Sequence, residues 1–195
     1  HGGAGIDTAT YSGLFTDYTI THNADGSITL ADSRSGISFD GTDTLDGVEY
    51  LKFGTTLYTA AGTLVSAPVA VADSVTGLVE AGATGPGVAS ASGHVLTNDT
   101  ISASPGTVTG AAAGAGTLGA VAAGTTINGT YGVLTINPDG SFNYALDNSR
   151  TATDALTSSD HVSDVFTYQL TDALGQTSTA QIAFAIDGAS DMPPT

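Results

Sequence analysis

The stretch that most limits what this chain can become is "YGVLTINPDGSFNYAL", residues 131–146. Apolar and polar residues alternate on both sides of an Asn-Pro-Asp-Gly turn, so each flank has one face to bury and one to expose, the period of a half-buried strand. Pro138 pre-sets φ for the turn and Gly140 is free to take φ > 0, so the flanks are predicted to fold back as a hairpin. The device recurs. "DVFTYQLTDALGQTSTAQIAFAI" (164–186) turns at 172–175, and "DYTIT" (17–21) and "SITLA" (27–31) flank "HNADG". "VEYLKF" (48–53) reads as a further strand behind the Gly- and Asp-rich run "DGTDTLDG" (40–47). β-Branched residues, glycines and the lack of long amphipathic windows argue against helices.

Short strands at roughly 8–12-residue spacing, with turns between them, favour a β-sandwich over a parallel α/β sheet. Phe142, Tyr144, Phe166, Tyr168 and Phe184 fall on alternating positions and are predicted to fill a core between two sheets. A carbohydrate-stacking platform is the sharper alternative, but periodicity already explains these rings. "TGAAAGAGTLGAVAAG" (109–124) is low in complexity and predicts a loop or a weak edge strand. The expected fold class is all-β.

Charge narrows the partners. Nineteen acidic residues face three basic ones, Arg34, Lys52 and Arg150, for a net charge of -16. Such a surface repels phosphate backbones and anionic headgroups and attracts divalent cations, which argues against nucleic acid and membrane surfaces. Glu49 and Glu80 are the only glutamates and the other acids are aspartates, whose short carboxylates suit turns and supply the hard oxygens that Ca²⁺ prefers. With no cysteine, neither disulfides nor thiolate metal sites are possible. No stretch approaches the ~18 apolar residues of a membrane span. A length of 195 residues accommodates two small domains. The small, uncharged run "TAAGTLVSAP" (59–68) places their boundary near Ser66, giving residues 1–66 and 67–195.

Enzymatic chemistry finds little support. There is no His-Glu-x-x-His zinc motif and no Gly-x-Ser-x-Gly elbow, and His1, His22, His94 and His161 are scattered. His161, between Asp160 and Asp164, is the best placed of them. With so many aspartates, a carboxylate pair of the glycosidase kind is a signal of almost no weight.

Residues 2–10, "GGAGIDTAT", fit the Gly-Gly-x-Gly-x-Asp-x-U-x nonapeptide of calcium-binding parallel β-rolls, with Ala9 where a large aliphatic is usual. Glycines there let backbone carbonyls face the ion while the Asp adds charge. Gly3, Gly5 and Asp7 are expected to supply one side of such a site. The other side is expected from an upstream turn or from "DGTDTL" folding back, with Asp40 and Asp43 as candidates. Together with "DYTITHNADGSITLAD" and "GTDTLDGVEYLKFGTTLYT", this region resembles the end of an RTX repeat array, and the chain reads as a piece of something longer.

From Pro68 onward, "PVAVADS", "VLTNDT", "YGVLTINPDGSFNYAL", "DVFTYQLTDALGQTSTAQIAFAI" and "DGASDMPP" occur in an order that resembles a VCBS-type repeat. That is a cadherin-like β-sandwich module of large secreted bacterial adhesins. The resemblance implies Ca²⁺ near the ends of the module, at Asp73, Asp99, Asp172 and Asp191. It further implies a secreted or cell-surface location, neighbouring repeats of the same chain as partners, and a role in adhesion or biofilm matrix assembly as a calcium-rigidified, non-enzymatic segment. Two rivals stand beside it. One is a calcium-dependent lectin for exopolysaccharide, with exposed Tyr11, Tyr18 or Tyr131 as sugar platforms; the other is an ancillary region of a large secreted hydrolase. "TAAG" (59–62) also resembles the di-alanine site at which some adhesins are released by a protease, in what is expected to be an accessible linker.

Overall fold

The computed structural model describes residues 1–36, 39–83 and 85–191. The end of the "DGASDMPP" stretch therefore lies outside the described residues. The chain divides into two compact units, His1–Ser66 and Ala67–Thr195. Regular structure is 48% strand against 4% helix, which makes the fold all-β. The helical exceptions are a 3-10 turn at Phe15–Asp17 and the four-residue α1 at Thr151–Asp154.

The first unit holds β1 (Thr8–Tyr11), β2 (Tyr18–His22), β3 (Ile28–Asp32), β4 (Thr42–Leu45), β5 (Tyr50–Phe53) and β6 (Thr56–Thr59). β2, β3 and β4 form an antiparallel meander, and β1, β5 and β6 form a second three-stranded sheet. In that second sheet β1 runs parallel to β5, with Thr8 opposite Tyr50 and Tyr11 opposite Phe53. Parallel neighbours need a crossover between them, and the meander is that crossover. Because side chains alternate along each strand, the register sets the Tyr11 and Phe53 rings on one face, stacked at 5.5 Å. They join Tyr18, Ile28, Leu30 and Leu51 in the core of this unit.

The second unit holds β7 (Asp73–Val79), β8 (Ser90–His94), β9 (Thr107–Ala113), β10 (Gly119–Ala120), β11 (Thr125–Asn128), β12 (Gly132–Ile136), β13 (Ser141–Leu146), β14 (His161–Thr171) and β15 (Thr177–Asp187). They make two sheets, ordered β10-β9-β14-β15-β7 and β11-β12-β13-β8. All pairs are antiparallel except β7 with β15. The inward faces of both sheets share one core, so the unit is a sandwich. Tyr144 stacks on Phe184 at 4.2 Å across it, and Phe142 meets Phe184 edge-on at 5.6 Å. Each such buried ring contributes about 1.5–3 kcal/mol.

Local chemistry builds the hairpins. In the β12–β13 turn the Asn137 N–H donates to the Ser141 carbonyl at 3.0 Å, and the Gly140 N–H to the Asn137 carbonyl at 2.9 Å. Gly140 takes φ of 89°, which a side chain would resist. The Asp139 carboxylate accepts the Ser141 N–H and hydroxyl. The β2–β3 turn repeats this arrangement, with Asn23, Asp25 and Ser27 in the same roles.

Two expectations need correction. Residues 109–113 of the low-complexity region are not loop: they belong to β9, which ladders to β14 and buries Val108, Ala111 and Ala112. Pairing with a long strand overrides weak local propensity, and the two-residue β10 is the weak edge. "TAAG" is not open linker. Its Gly62 N–H donates to the Thr59 carbonyl and the Thr59 N–H to the Thr63 carbonyl, both at 2.8 Å, closing a turn at the end of β6.

Candidate functional site

The β1–β5 register decides what meets Asp7. Extended backwards, it aligns "GIDTATY" (5–11) with "GVEYLKF" (47–53), glycine, aliphatic and acid in the same order. The Asp7 N–H donates to the Glu49 carboxylate at 2.9 Å, and the Glu49 and Tyr50 N–H groups return to the Asp7 carbonyl at 3.2 and 3.1 Å. Asp7 Oδ2 accepts the Gly3 N–H at 2.8 Å, and the Gly2 N–H reaches the Asp46 carbonyl. Gly5, at φ of 125°, makes the bend that brings Gly3 back over Asp7. The residue brought to Asp7 is thus Glu49, not Asp40 or Asp43 as expected. Parallel stacking delivers the loop before β5 to the loop before β1 and leaves β4 in the other sheet.

Asp40 and Asp43 serve the first unit's core instead. Asp40 accepts the Ser12 N–H at 2.9 Å, the Tyr18 hydroxyl, and Arg34 Nη2 at 3.1 Å. The Tyr18 bond, then Ser12, hold its carboxyl below the usual range. Arg34 also pairs at 2.7 Å with Asp32, whose side chain is wholly buried, and its hydrogen bonds hold the Asp32 carboxyl far down. Burial, then the Asp43 carboxylate beside it, push the Tyr11 hydroxyl up to about 12. Tyr11 and Tyr18 are 7% and 8% exposed, which removes them as sugar platforms: their rings close the core against Phe53. Tyr131 is half-buried against the sandwich core.

At one end of the sandwich, where β7 begins, two expected acids converge on a buried tyrosine. The Tyr168 hydroxyl lies 3.1 and 3.2 Å from the two Asp99 oxygens, 3.1 Å from the Val71 carbonyl and 3.2 Å from that of Val95. Asp99 Oδ1 accepts the Val71 N–H at 2.7 Å, and Asn98 Nδ2 donates to the Ala72 carbonyl at 3.3 Å. Asp73 opens β7 beside them, and its Oδ2 is buried with no hydrogen-bond partner among the described residues. Burial pushes the Asp73 carboxyl up, and the Asp99 charge adds to this against hydrogen bonds from Tyr168 and Asn98. Burial, then the charges of Asp73 and Asp99, push the Tyr168 hydroxyl up as well. The pole is a set of hard oxygens, two carboxylates and several carbonyls, with one carboxylate oxygen left unmet.

The remaining expected residues lie apart. Asp172 is buried; its Oδ1 accepts the Leu174 and Gln176 N–H groups of the β14–β15 turn at 3.0 and 2.9 Å, and its Oδ2 is buried without a partner among the described residues. Asp191 is exposed beyond β15. His161 pairs with Asp187 at 2.6 Å. Asp164 points away from it into the core, accepting the Thr130 and Tyr131 N–H groups and the Tyr144 hydroxyl at 2.8, 2.9 and 2.7 Å. Sequence reasoning missed Glu49, Tyr168 and Glu80. That the chain keeps only two glutamates among so many aspartates is the signal that could have singled out Glu49 and Glu80.

Among the described residues, no three His, Cys, Asp or Glu side chains gather as a metal-holding group, and no helix is long and apolar enough to cross a membrane. No family model matches the chain, and no curated protein matches it at a significant level.

Proposed function

We propose that this chain is a non-enzymatic, extracellular module of a large secreted bacterial surface protein, stiffened by Ca²⁺ and serving adhesion or matrix assembly beside further repeats. The observation that carries the reading is the unpartnered, buried Asp73 Oδ2 next to Asp99. Two carboxylates held together without a cation repel each other, and burial magnifies the cost. A Ca²⁺ ion takes oxygen ligands of the kinds assembled there, carboxylates and backbone carbonyls. Asp73 and Asp99 would hold it, with carbonyls of the 71–72 segment near at hand. The ion would neutralise the pair and stiffen the start of the sandwich. An acidic, cysteine-free chain of turns and strands is in keeping with an extracellular, cation-rich setting.

Thermal melts in millimolar Ca²⁺ and in EDTA test the calcium part. Calcium at ~100-fold over its dissociation constant adds about 2.7 kcal/mol, and Asp73→Asn and Asp99→Asn are expected to abolish that gain. Equal melting of the parent chain in both conditions overturns it. Antibodies to the chain are expected to label intact cells of its source. Labelling only after permeabilisation overturns the extracellular part.

A further inference from the structure

We propose that Glu80 is a proton-operated latch that holds the segment following β15 against the end of β7. Glu80 comes directly after β7 and is 1% exposed. Its Oε2 accepts the Ala189 N–H at 3.2 Å, and its Oε1 is buried with no hydrogen-bond partner among the described residues. Backbone bonds flank this contact on both sides: the Glu80 N–H donates to the Asp187 carbonyl and the Ala83 N–H to the Ser190 carbonyl, both at 2.9 Å. The fit is close. A Cβ on Gly82 would lie 2.6 Å from the Ala189 Cβ and 2.9 Å from the Ser190 carbonyl oxygen.

What surrounds Glu80 decides its charge. The charged groups that bear on it are carboxylates from three directions: Asp191 of the docked segment, Asp154 of α1 and Asp160 of the loop before β14. His161, next to Asp160, is taken by Asp187. Arg150, at the start of α1, is taken by Asp147, the Gly129 carbonyl and Asn128. A buried carboxylate with one oxygen unmet and only like charges about it is far costlier than a neutral carboxyl. The neutral form keeps the acceptor that Ala189 needs. The ionised form is driven from the pocket and repels Asp191 on the very segment it holds.

The sign follows. Burial, with the three acids adding to it, raises the Glu80 carboxyl above its ordinary value. The docked segment is therefore fully held below that ordinary value and is released as pH rises through the folded one. This latch goes beyond the calcium reading and does not involve Asp73 or Asp99, the pair on which the proposed calcium site rests.

Amide hydrogen exchange at Ala189 and Ala83, corrected for intrinsic rates and run in EDTA from about pH 5 to about pH 8, tests it. Protection is expected to fall about ten-fold for each unit by which the folded carboxyl lies above its ordinary value, while core amides such as Ile182 stay protected. Glu80→Gln keeps the acceptor and never ionises, so it is expected to hold both amides protected across the range. Asp154→Asn, at an exposed position, removes one like charge from around Glu80 and is therefore expected to move the transition to lower pH and to make the total loss of protection smaller. Protection that is independent of pH in the parent chain, or an unchanged transition in Glu80→Gln, overturns the latch. So does protection that ignores pH in EDTA and appears only on adding Ca²⁺, which assigns the pocket to a cation.

Discussion

The Asp7 N–H and the Glu49 carboxylate are joined at 2.9 Å across 42 residues of sequence. The bond pins the loop before β1 to the loop before β5. Glu49→Ala is expected to cost about 0.5–1.5 kcal/mol, the usual worth of one such bond, and Glu49→Gln much less because it keeps the acceptor. Faster amide exchange at Leu51 and Phe53 in the alanine variant checks this, and identical exchange in all three chains refutes it.

Arg34 gathers Asp32, Asp40 and Tyr18 around one guanidinium. Arg34→Met is expected to strand the buried Asp32 carboxylate and destabilise the first unit while core amides of the second keep their protection. The pH dependence has a definite sign. The Asp32 carboxyl is depressed on folding, so its stabilisation is present above the ordinary carboxyl value and is lost as pH falls below it through the folded value. Acid unfolding of the first unit, followed by exchange at Leu51, is expected to become shallower in the variant.

Asp164 satisfies two backbone N–H groups and the Tyr144 hydroxyl inside the sandwich. Tyr144→Phe removes one bond, at about 1 kcal/mol, whereas Asp164→Ala orphans three donors at about 1–3 kcal/mol each. Chemical denaturation of the second unit is expected to rank them so. Equal losses would mean that the carboxylate finds no more use than the single hydroxyl.

Asp73 has the opposite sign to Asp32. Its carboxyl is raised on folding, chiefly by burial, so without calcium the chain is expected to lose stability as pH climbs from the ordinary carboxyl value to the folded one. In EDTA, Asp73→Asn is expected to melt above the parent at neutral pH and to converge with it in acid. A variant less stable than the parent at neutral pH would show that the charge is already compensated.

What could be read from the sequence was what is local. The turns at 137–140 and 172–175 are written in neighbouring residues, and the alternation of Phe142, Tyr144, Phe166, Tyr168 and Phe184 names the sandwich core, which buries all five. The parallel pairing of β1 with β5 was not legible, since no local pattern tells two distant strands to meet, and with it Glu49 was missed. Tyr11 and Tyr18 stand in strands short enough that either face could have been the inner one. β9 was obscured because alanine and glycine carry little strand preference, and its ladder to β14 supplies what the residues lack. At the β7 pole, Asp73 and Asp99 were visible as residue types, but Tyr168 between them comes from strand pairing far along the chain.

The parallel match of β7 to β15, from Asp73 beside Ile182 to Val79 beside Asp187, carries a mechanical consequence. The chain runs into β7 at one end of that ladder and out of β15 at the other. Tension applied to the two ends of the sandwich therefore drags these strands past each other lengthwise, loading their hydrogen bonds together in shear instead of peeling them one by one. The pull that the unit withstands is set first by how its opening strand grips its closing one.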